Sequence, residues 1–231
     1  MISIIIPTLN EEKYIARCVA DVQSKAKEAF EIIIVDAGSE DATISIIQEL
    51  DDVILITDKS LKGKKYASLN KGAEIAKGDI LLFLDADTTL PAGFQQLIQK
   101  ILNPSDVVGG AFEMIFDQHT AFLQFIRVVN SLRYNISKRC YGDQAIFCKK
   151  ESFHKVGGYP KKIVLEAAHF CRRLMNVGRF RIIKRPVITS SRRFLEGGVI
   201  KTFLFDLYLL SLDNLGLNIE KSARKYWKKN A

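Results

Sequence analysis

The stretch Gly78-Asp79-Ile80-Leu81-Leu82-Phe83-Leu84-Asp85-Ala86-Asp87-Thr88-Thr89-Leu90-Pro91 decides the fold. Its five apolar residues, 80–84, have the length and bounding of a strand buried on both faces. Asp85 and Asp87 follow at the carboxyl end, where open α/β sheets bind ligands. Two carboxylates one residue apart on a rigid strand end can hold a hard divalent cation shared with substrate phosphates. Charged loops also produce Asp-x-Asp by chance, so the rest of the chain has to choose between the two readings.

Upstream, strand and helix alternate. Residues 2–6 read as a strand stopped by Pro7, with Asn10 as N-cap of a helix reaching about Glu28 and Ile15, Val19 and Val22 on one face. Residues 31–35 predict a second strand ending in Asp36 and Gly38, then a helix capped by Asp41 or Ser39 and ending near Leu50. A third strand over 53–57, a basic loop with Lys62, Lys64 and Lys65, and a helix over 66–76 complete the first part. This order predicts an α/β fold with right-handed crossovers and a mostly parallel sheet. Parallel strands would gather Asn10 and Glu11, Asp36, and Asp85 with Asp87 at one sheet edge. That convergence points to a nucleotide site. Helix capping is the alternative use for Asn10 and Asp41.

Downstream the pattern changes. A helix is expected over 95–102, a strand over 107–116, and an amphipathic helix over 120–138 carrying Phe122, Phe125, Ile126, Val129 and Leu132 on one face. Short strands follow over 145–148, 179–183 and 187–190, with helices over 151–156 and 164–177 between them. Glu166 and His169 share a helical face, where a hydrogen-bonded histidine is the plainer expectation than a ligand. Arg192 and Arg193 follow the last strand and suit a diphosphate or surface salt bridges equally. An apolar helix over 199–212 and a basic tail with Lys221, Arg224, Lys225, Lys228 and Lys229 end the chain. Core packing or contact with an anionic membrane surface are the two uses open to that helix.

The 231 residues fit one domain, expected as a nucleotide-binding half over about 1–100 and an acceptor half with C-terminal helices over about 101–231. An apolar content of 48% excludes default disorder, and a net charge of +8 calls for an anionic partner: nucleotide phosphates, a lipid surface or nucleic acid. Charge alone does not choose among them, and no nucleic acid is expected here. Cys18, Cys140, Cys148 and Cys171 form no C-x-x-C pair and read as scattered buried thiols of a reducing compartment. The first residues lack the form of a signal peptide, and no run reaches the ~18 apolar residues of a membrane span. A cytoplasmic protein, soluble or peripheral at the inner face of the cell membrane, is expected.

A dinucleotide glycine fingerprint, a P-loop and zinc spacing are all missing. Two reaction classes fit the strand and its aspartates. One is metal-assisted nucleotide-sugar chemistry. The other resembles haloacid dehalogenase phosphatases, but that motif belongs on a first strand and needs a later acidic pair, which this order of parts lacks.

Ile4-Ile5-Ile6-Pro7-Thr8-Leu9-Asn10-Glu11-Glu12, Ile34-Val35-Asp36-Ala37-Gly38-Ser39-Glu40-Asp41-Ala42-Thr43 and the stretch 78–88 together resemble family 2 glycosyltransferases of the GT-A fold. The likeness continues through Tyr141-Gly142-Asp143-Gln144-Ala145-Ile146-Phe147, Val156-Gly157-Gly158-Tyr159-Pro160 and Ser190-Ser191-Arg192-Arg193-Phe194. It implies a Rossmann-like, mostly parallel sheet with helices on both faces. It also implies that Thr8, Asn10, Glu11 and Asp36 line a nucleoside pocket, with Asp36 meeting the base, and that Pro7, Gly38, Lys65 and Ala86 belong to the same donor site. Asp85 would lie near the ribose or sugar, Asp87 would bind Mn²⁺ or Mg²⁺, and Arg193 would meet the phosphates or close over them. The implied chemistry is inverting transfer from a nucleotide-sugar donor, a UDP-sugar, to a lipid-linked, glycan or small-molecule acceptor. Relatives carry Glu-Asp where this chain has Glu166-Ala167. The proton acceptor therefore falls to Glu166 or Asp143, or the protein binds nucleotide sugars without turning them over.

Overall fold

The structure is a computed structural model that describes residues 1–220. The first half follows the apolar runs: β1 (Ile2–Thr8), α1 (Ile15–Lys25), β2 (Phe30–Asp36), α2 (Thr43–Gln48), β3 (Val53–Thr57), α3 (Lys65–Ile75) and β4 (Ile80–Phe83). The second half adds β5 (Thr88–Thr89), α4 (Phe94–Leu102), β6 (Val107–Phe116), α5 (Ala121–Ser137) and β7 (Phe147–Lys149). It closes with α6 (Lys150–Lys155), α7 (Glu166–Met175), β8 (Arg179–Thr189), α8 (Arg192–Gly197) and α9 (Val199–Asn214).

All eight strands join one sheet, in the order β3-β2-β1-β4-β7-β6-β8-β5. The neighbours β3, β2, β1 and β4 are parallel, and β8 is parallel to β6. Three pairings, β4 with β7, β7 with β6, and β5 with β8, are antiparallel, so the sheet is mostly parallel by a small margin.

The period of two along β1 explains the layers. Ile4 and Ile6 pack with Ile15, Val19 and Val22 of α1 and with Ile98 of α4. Ile5 points the other way, into a cluster with Leu69 and Ala73 of α3 and Phe170 of α7. A strand covered on both faces has no polar side to show, which is why these runs do not alternate. Gly72 lets α3 lie this close to the sheet: a Cβ there would come within 2.5 Å of Ile5 Cγ2.

Several expectations are corrected. Asn10 does not cap α1, which begins at Ile15 behind Tyr14; Asn10 sits at φ 57 and ties two loops together. Its N–H donates to Ser39 Oγ at 2.8 Å and its Oδ1 accepts from the Glu40 N–H at 2.9 Å. Asp41 does act at the start of α2, accepting from the Thr43 N–H at 3.0 Å. The stretches 179–183 and 187–190 are the two ends of a single strand, β8. Its register against β6 slips between Phe112 and Met114, and that irregularity absorbs Pro186, which has no N–H to give. The four cysteines are buried and unpaired. No helix among the described residues is long and apolar enough to cross a membrane. The basic tail lies outside the described residues.

Candidate active site

The parallel register sets Thr8 beside Asp36 and Ile5 beside Phe83, so β1, β2 and β4 end together. Past their carboxyl ends opens a cleft of about 1430 Å³. Pro7, Thr8, Asn10, Glu11, Lys65, Asp85, Ala86 and Asp87 line it on the strand side, and Asp143, Glu166 and Arg193 line it further along.

Two of the expected residues are not on this wall. Asp36 is fully buried, and its carboxylate accepts from Thr8 Oγ1 at 3.0 Å, the Gly38 and Ser39 N–H groups at 2.9 Å and Ser39 Oγ at 2.5 Å. With four donors it has no lone pair left to aim outward. Asp36 shapes the turn through Gly38, which sits at φ 91, and its carboxylate stands behind the wall.

At the centre, Lys65 Nζ lies 2.6 Å from Asp85 Oδ1 and 2.7 Å from Oδ2. Burial works to lower the Lys65 pKa, but Asp85, Glu166 and Asp143 together hold it above the usual lysine range. Gly142 leaves the room for this pair, since a Cβ there would come 2.8 Å from Lys65 Nζ and 3.1 Å from Asp85 Oδ2.

Asp87 has a different partner. Arg192 Nε lies 3.1 Å from Asp87 Oδ2 while its Nη2 donates to Glu11 Oε1 at 2.6 Å. The guanidinium also covers the Tyr14 ring at 4.6 Å. Burial, and then Asp85, push the Asp87 carboxyl up to about 6. Glu11 Oε2 is buried with no hydrogen-bond partner. The site is short of positive charge despite Arg192, which fits a divalent cation. Among the described residues no three His, Cys, Asp or Glu side chains cluster to hold a metal unaided, so substrate or water oxygens would complete any such shell.

Glu166 opens α7, and burial raises its pKa against the pull of Lys65. Burial and Asp85 raise Asp143, whose Oδ1 is buried without a partner. A carboxylate whose pKa is raised in this way holds a proton more readily than a free one. Ala167 is 3% exposed and lies on the same wall.

Arg192, rather than Arg193, meets the carboxylates; Arg193 turns to Asp206 of α9. Both arginines line the cleft, and the sequence signal was the pair itself, but which one reaches Asp87 and Glu11 depends on α8, a short helix that periodicity does not announce. Asp206, a charged residue inside the helix expected as apolar over 199–212, is a cleft residue. Arg133, stacked 3.7 Å over the Tyr141 ring, is a further one.

Comparisons with known proteins agree with this geometry. The family described as glycosyl transferase family 2 matches residues 3–157. Glycosyltransferase AglE of Haloferax volcanii is 28% identical over 192 residues, which cover 77% of this chain and 62% of that protein. A PGL/p-HBAD biosynthesis glycosyltransferase of Mycobacterium tuberculosis is 32% identical over 170 residues, 69% of this chain and 63% of its own. The chain thus spans somewhat over six-tenths of these relatives. A mannosyltransferase of Pyrobaculum calidifontis, solved with GDP-Man and Mn²⁺, superposes with a TM-score of 0.66 at 22% identity, covering 81% of this chain and 56% of that one. TarS 1–349 of S. aureus, solved with UDP, gives 0.67 at 15% identity, with 82% and 60% covered. At these identities the structural likeness speaks for the fold.

Proposed function

Since the chain belongs to glycosyl transferase family 2, we propose that it is a metal-dependent inverting glycosyltransferase using a nucleotide-sugar donor, a UDP-sugar in this reading. The observation that carries the proposal is the meeting of Asp85–Lys65 and Asp87–Arg192 at one sheet edge, in a cleft that also holds Glu166 and Asp143.

Thr8, Asn10 and Glu11 would hold the nucleoside, with Pro7 and Ala86 completing the wall, while Asp36 and Gly38 act from behind by fixing Thr8 and the loop after β2. Lys65 orients Asp85 toward the ribose or sugar. Asp87 and Asp85 would hold Mn²⁺ or Mg²⁺, which supplies positive charge for the leaving diphosphate. Arg193 would leave Asp206 to meet the phosphates or close over them. The acceptor oxygen forms a bond to the anomeric carbon as the bond to the diphosphate oxygen breaks on the opposite face. The acceptor's proton passes to Glu166, or to Asp143. The donor sits in the half up to about residue 100 and the acceptor in the remainder. GDP-Man with Mn²⁺ in one structural neighbour and UDP in another support a nucleotide-and-metal site of this kind. In this reading the protein is cytoplasmic and peripheral to the inner face of the cell membrane.

The test is a panel of UDP- and GDP-sugars scored for binding and for nucleoside diphosphate release, with Mn²⁺ and with EDTA, on wild type and Asp87→Ala. Metal should strengthen nucleotide binding in wild type only. Equal affinities in Mn²⁺ and EDTA would remove the metal from the reading. Binding without release on any donor would favour a nucleotide-sugar-binding homologue, the reading that Ala167 supports. Robust Mg²⁺-dependent release of phosphate from an aryl phosphate would point to a phosphatase instead.

A further inference from the structure

α5 and α9 touch near their starts, where Phe122 and Phe125 meet Phe203 with ring centroids 5.9 Å apart. They meet again near their ends, where Arg139, just past α5, hydrogen-bonds Asn214. The helices therefore run side by side in the same direction. Between the two contacts both line the cleft, Val129 and Arg133 from α5, and Asp206, Leu207 and Leu210 from α9.

Each helix also leaves an apolar stripe in solvent. On α5 the stripe is Phe125, Val128, Leu132 and Ile136, the last 81% exposed; on α9 it is Ile200, Leu204, Leu207 and Tyr208, the first 61% exposed. Spacings of three and four put each set on one side of its helix. Soluble surfaces seldom expose contiguous apolar area of this kind. Leu207 belongs both to the stripe and to the cleft wall.

The charges around the stripes select the occupant. α5 contains no Asp or Glu, and the two acids of α9 face inward, Asp206 to Arg193 and Asp213 to His169. Lys201 is exposed three residues before Leu204, on the side of the α9 stripe, and Lys138 and Arg139 follow the end of α5. A second copy of the chain would set these cations against their own kind. An apolar face flanked by cations, on two helices whose own acids point inward, is complementary to an anionic bilayer.

The cleft behind the stripes is graded. Ile126, Val129, Phe203 and Leu210 line it near α5 and α9, while Arg133 Nε, Tyr141 Oη and Asp143 Oδ1 are buried in its wall without hydrogen-bond partners. Three unpaired polar atoms await a polar headgroup, and the apolar wall accommodates a tail. We propose that the acceptor is an amphiphile, presented by an anionic bilayer against which α5 and α9 lie, its hydroxyl headgroup entering the cleft between the two helices. The identity of the cleft rests on the glycosyl-transfer reading.

The experiment sediments the full chain with phosphatidylcholine vesicles, with and without phosphatidylglycerol, at low and high salt. Binding should require the anionic lipid and fall with salt. The triple variant Leu132→Glu, Ile136→Glu, Leu204→Glu lies off the cleft wall and should lose at least ~10-fold in vesicle binding while its UDP affinity stays within about two-fold. Leu132→Gln alone replaces it should the triple variant fail to fold. Calorimetry then compares dodecyl maltoside below its micellar concentration with maltose, and the amphiphile should bind at least ~10-fold more tightly. Wild type left in the supernatant at low salt, or variants that sediment like wild type, would overturn the bilayer. Equal affinity for dodecyl maltoside and maltose would overturn the amphiphilic acceptor. A dimer in light scattering that the triple variant dissolves would assign the face to a second copy and overturn the proposal as well. Failure of wild type to bind any nucleotide sugar would strike the transfer reading instead and leave the vesicle result intact.

Discussion

Arg192 sets its Nε 3.1 Å from Asp87 Oδ2, so the carboxylate expected to hold a metal already has an organic cation beside it. Its other nitrogen reaches Glu11, which joins α8 to the loop after β1 and to the end of β4. A divalent ion on Asp87 would release this guanidinium toward the donor phosphates, where bidentate contact is favourable. Without divalent ions, Arg192→Gln should lose about 1–2 kcal/mol of stability, discounted for the partial exposure of the pair. Mn²⁺ should then raise the melting temperature more in the variant than in wild type. Equal Mn²⁺ shifts in the two proteins would mean that the ion does not contact Asp87.

Gly142→Ala tests the other cation. The new methyl would stand 2.8 Å from Lys65 Nζ, too close for any real contact, yet the neighbour is the flexible tip of a side chain. The fold should survive while Lys65 leaves Asp85. Loss of one charge-assisted hydrogen bond is worth about 1.5–3 kcal/mol, so donor affinity by calorimetry should fall roughly 10- to 100-fold. Unchanged affinity in a protein with an unchanged melting temperature would show that the Lys65–Asp85 pair does not serve binding.

How far the sequence could be read follows from where each feature gets its stability. β3 and β6 were legible to the residue, because an apolar run bounded by polar residues is a local signal. β5 was not: Thr88 and Thr89 are a strand only because Thr189 and Ile188, a hundred residues away, pair with them. Pro186 divides β8 on paper, whereas in space it falls at a register slip that no residue pattern announces. The convergence of Glu11, Asp85 and Asp87 was legible because parallel strands end on one side. Asp36 sits at the same level, yet its direction is fixed by Thr8, Gly38 and Ser39, which claim its oxygens. The choice between Arg192 and Arg193 was out of reach for a related reason. Neighbours on a helix point about 100° apart, and only the placement of α8 says which one reaches Asp87 and which one Asp206.

His169 gives a pH dependence outside the site. Its Nε2 lies 2.8 Å from Asp213 Oδ1, and Arg172 Nη2 lies 2.6 Å from its Nδ1. A guanidinium can only donate, so Nδ1 accepts and Nε2 carries the proton given to Asp213. Burial lowers the His169 pKa by more than Asp213 raises it. The folded value thus lies below the unfolded one of about 6.5, the unfolded chain binds more protons in that window, and stability rises with pH through it. The contribution is present above pH ~6.5 and is lost as pH falls through the folded value. Melting temperatures across about pH 5 to 7 should therefore slope less in His169→Gln than in wild type. Parallel slopes would exclude His169 as the titrating group.

The proton acceptor is the last question that mutation can answer. Glu166 stands at the start of α7 and Asp143 in the turn before β7; both line the cleft, and burial raises both. Glu166→Gln should lower kcat by about 10²–10⁴-fold with nucleotide affinity unchanged, the signature of an interaction made only in the transition state, as proton transfer is. If Asp143→Asn shows that loss and Glu166→Gln does not, the roles are reversed. Ala167→Asp should raise kcat at least ~10-fold, since its carboxylate would point about 100° from that of Glu166 around the helix. Ala167 packs in the layer that holds Phe83 and Phe170, so the new charge should also lower stability by about 1–3 kcal/mol, visible as an earlier melt. A gain in rate together with that loss would identify position 167 as the direction from which the acceptor is approached. No gain from Ala167→Asp, beside complete loss in Glu166→Gln, would make Glu166 a competent base in its own right. Turnover in none of the three variants or wild type, on donors that do bind, would leave nucleotide-sugar binding as the function.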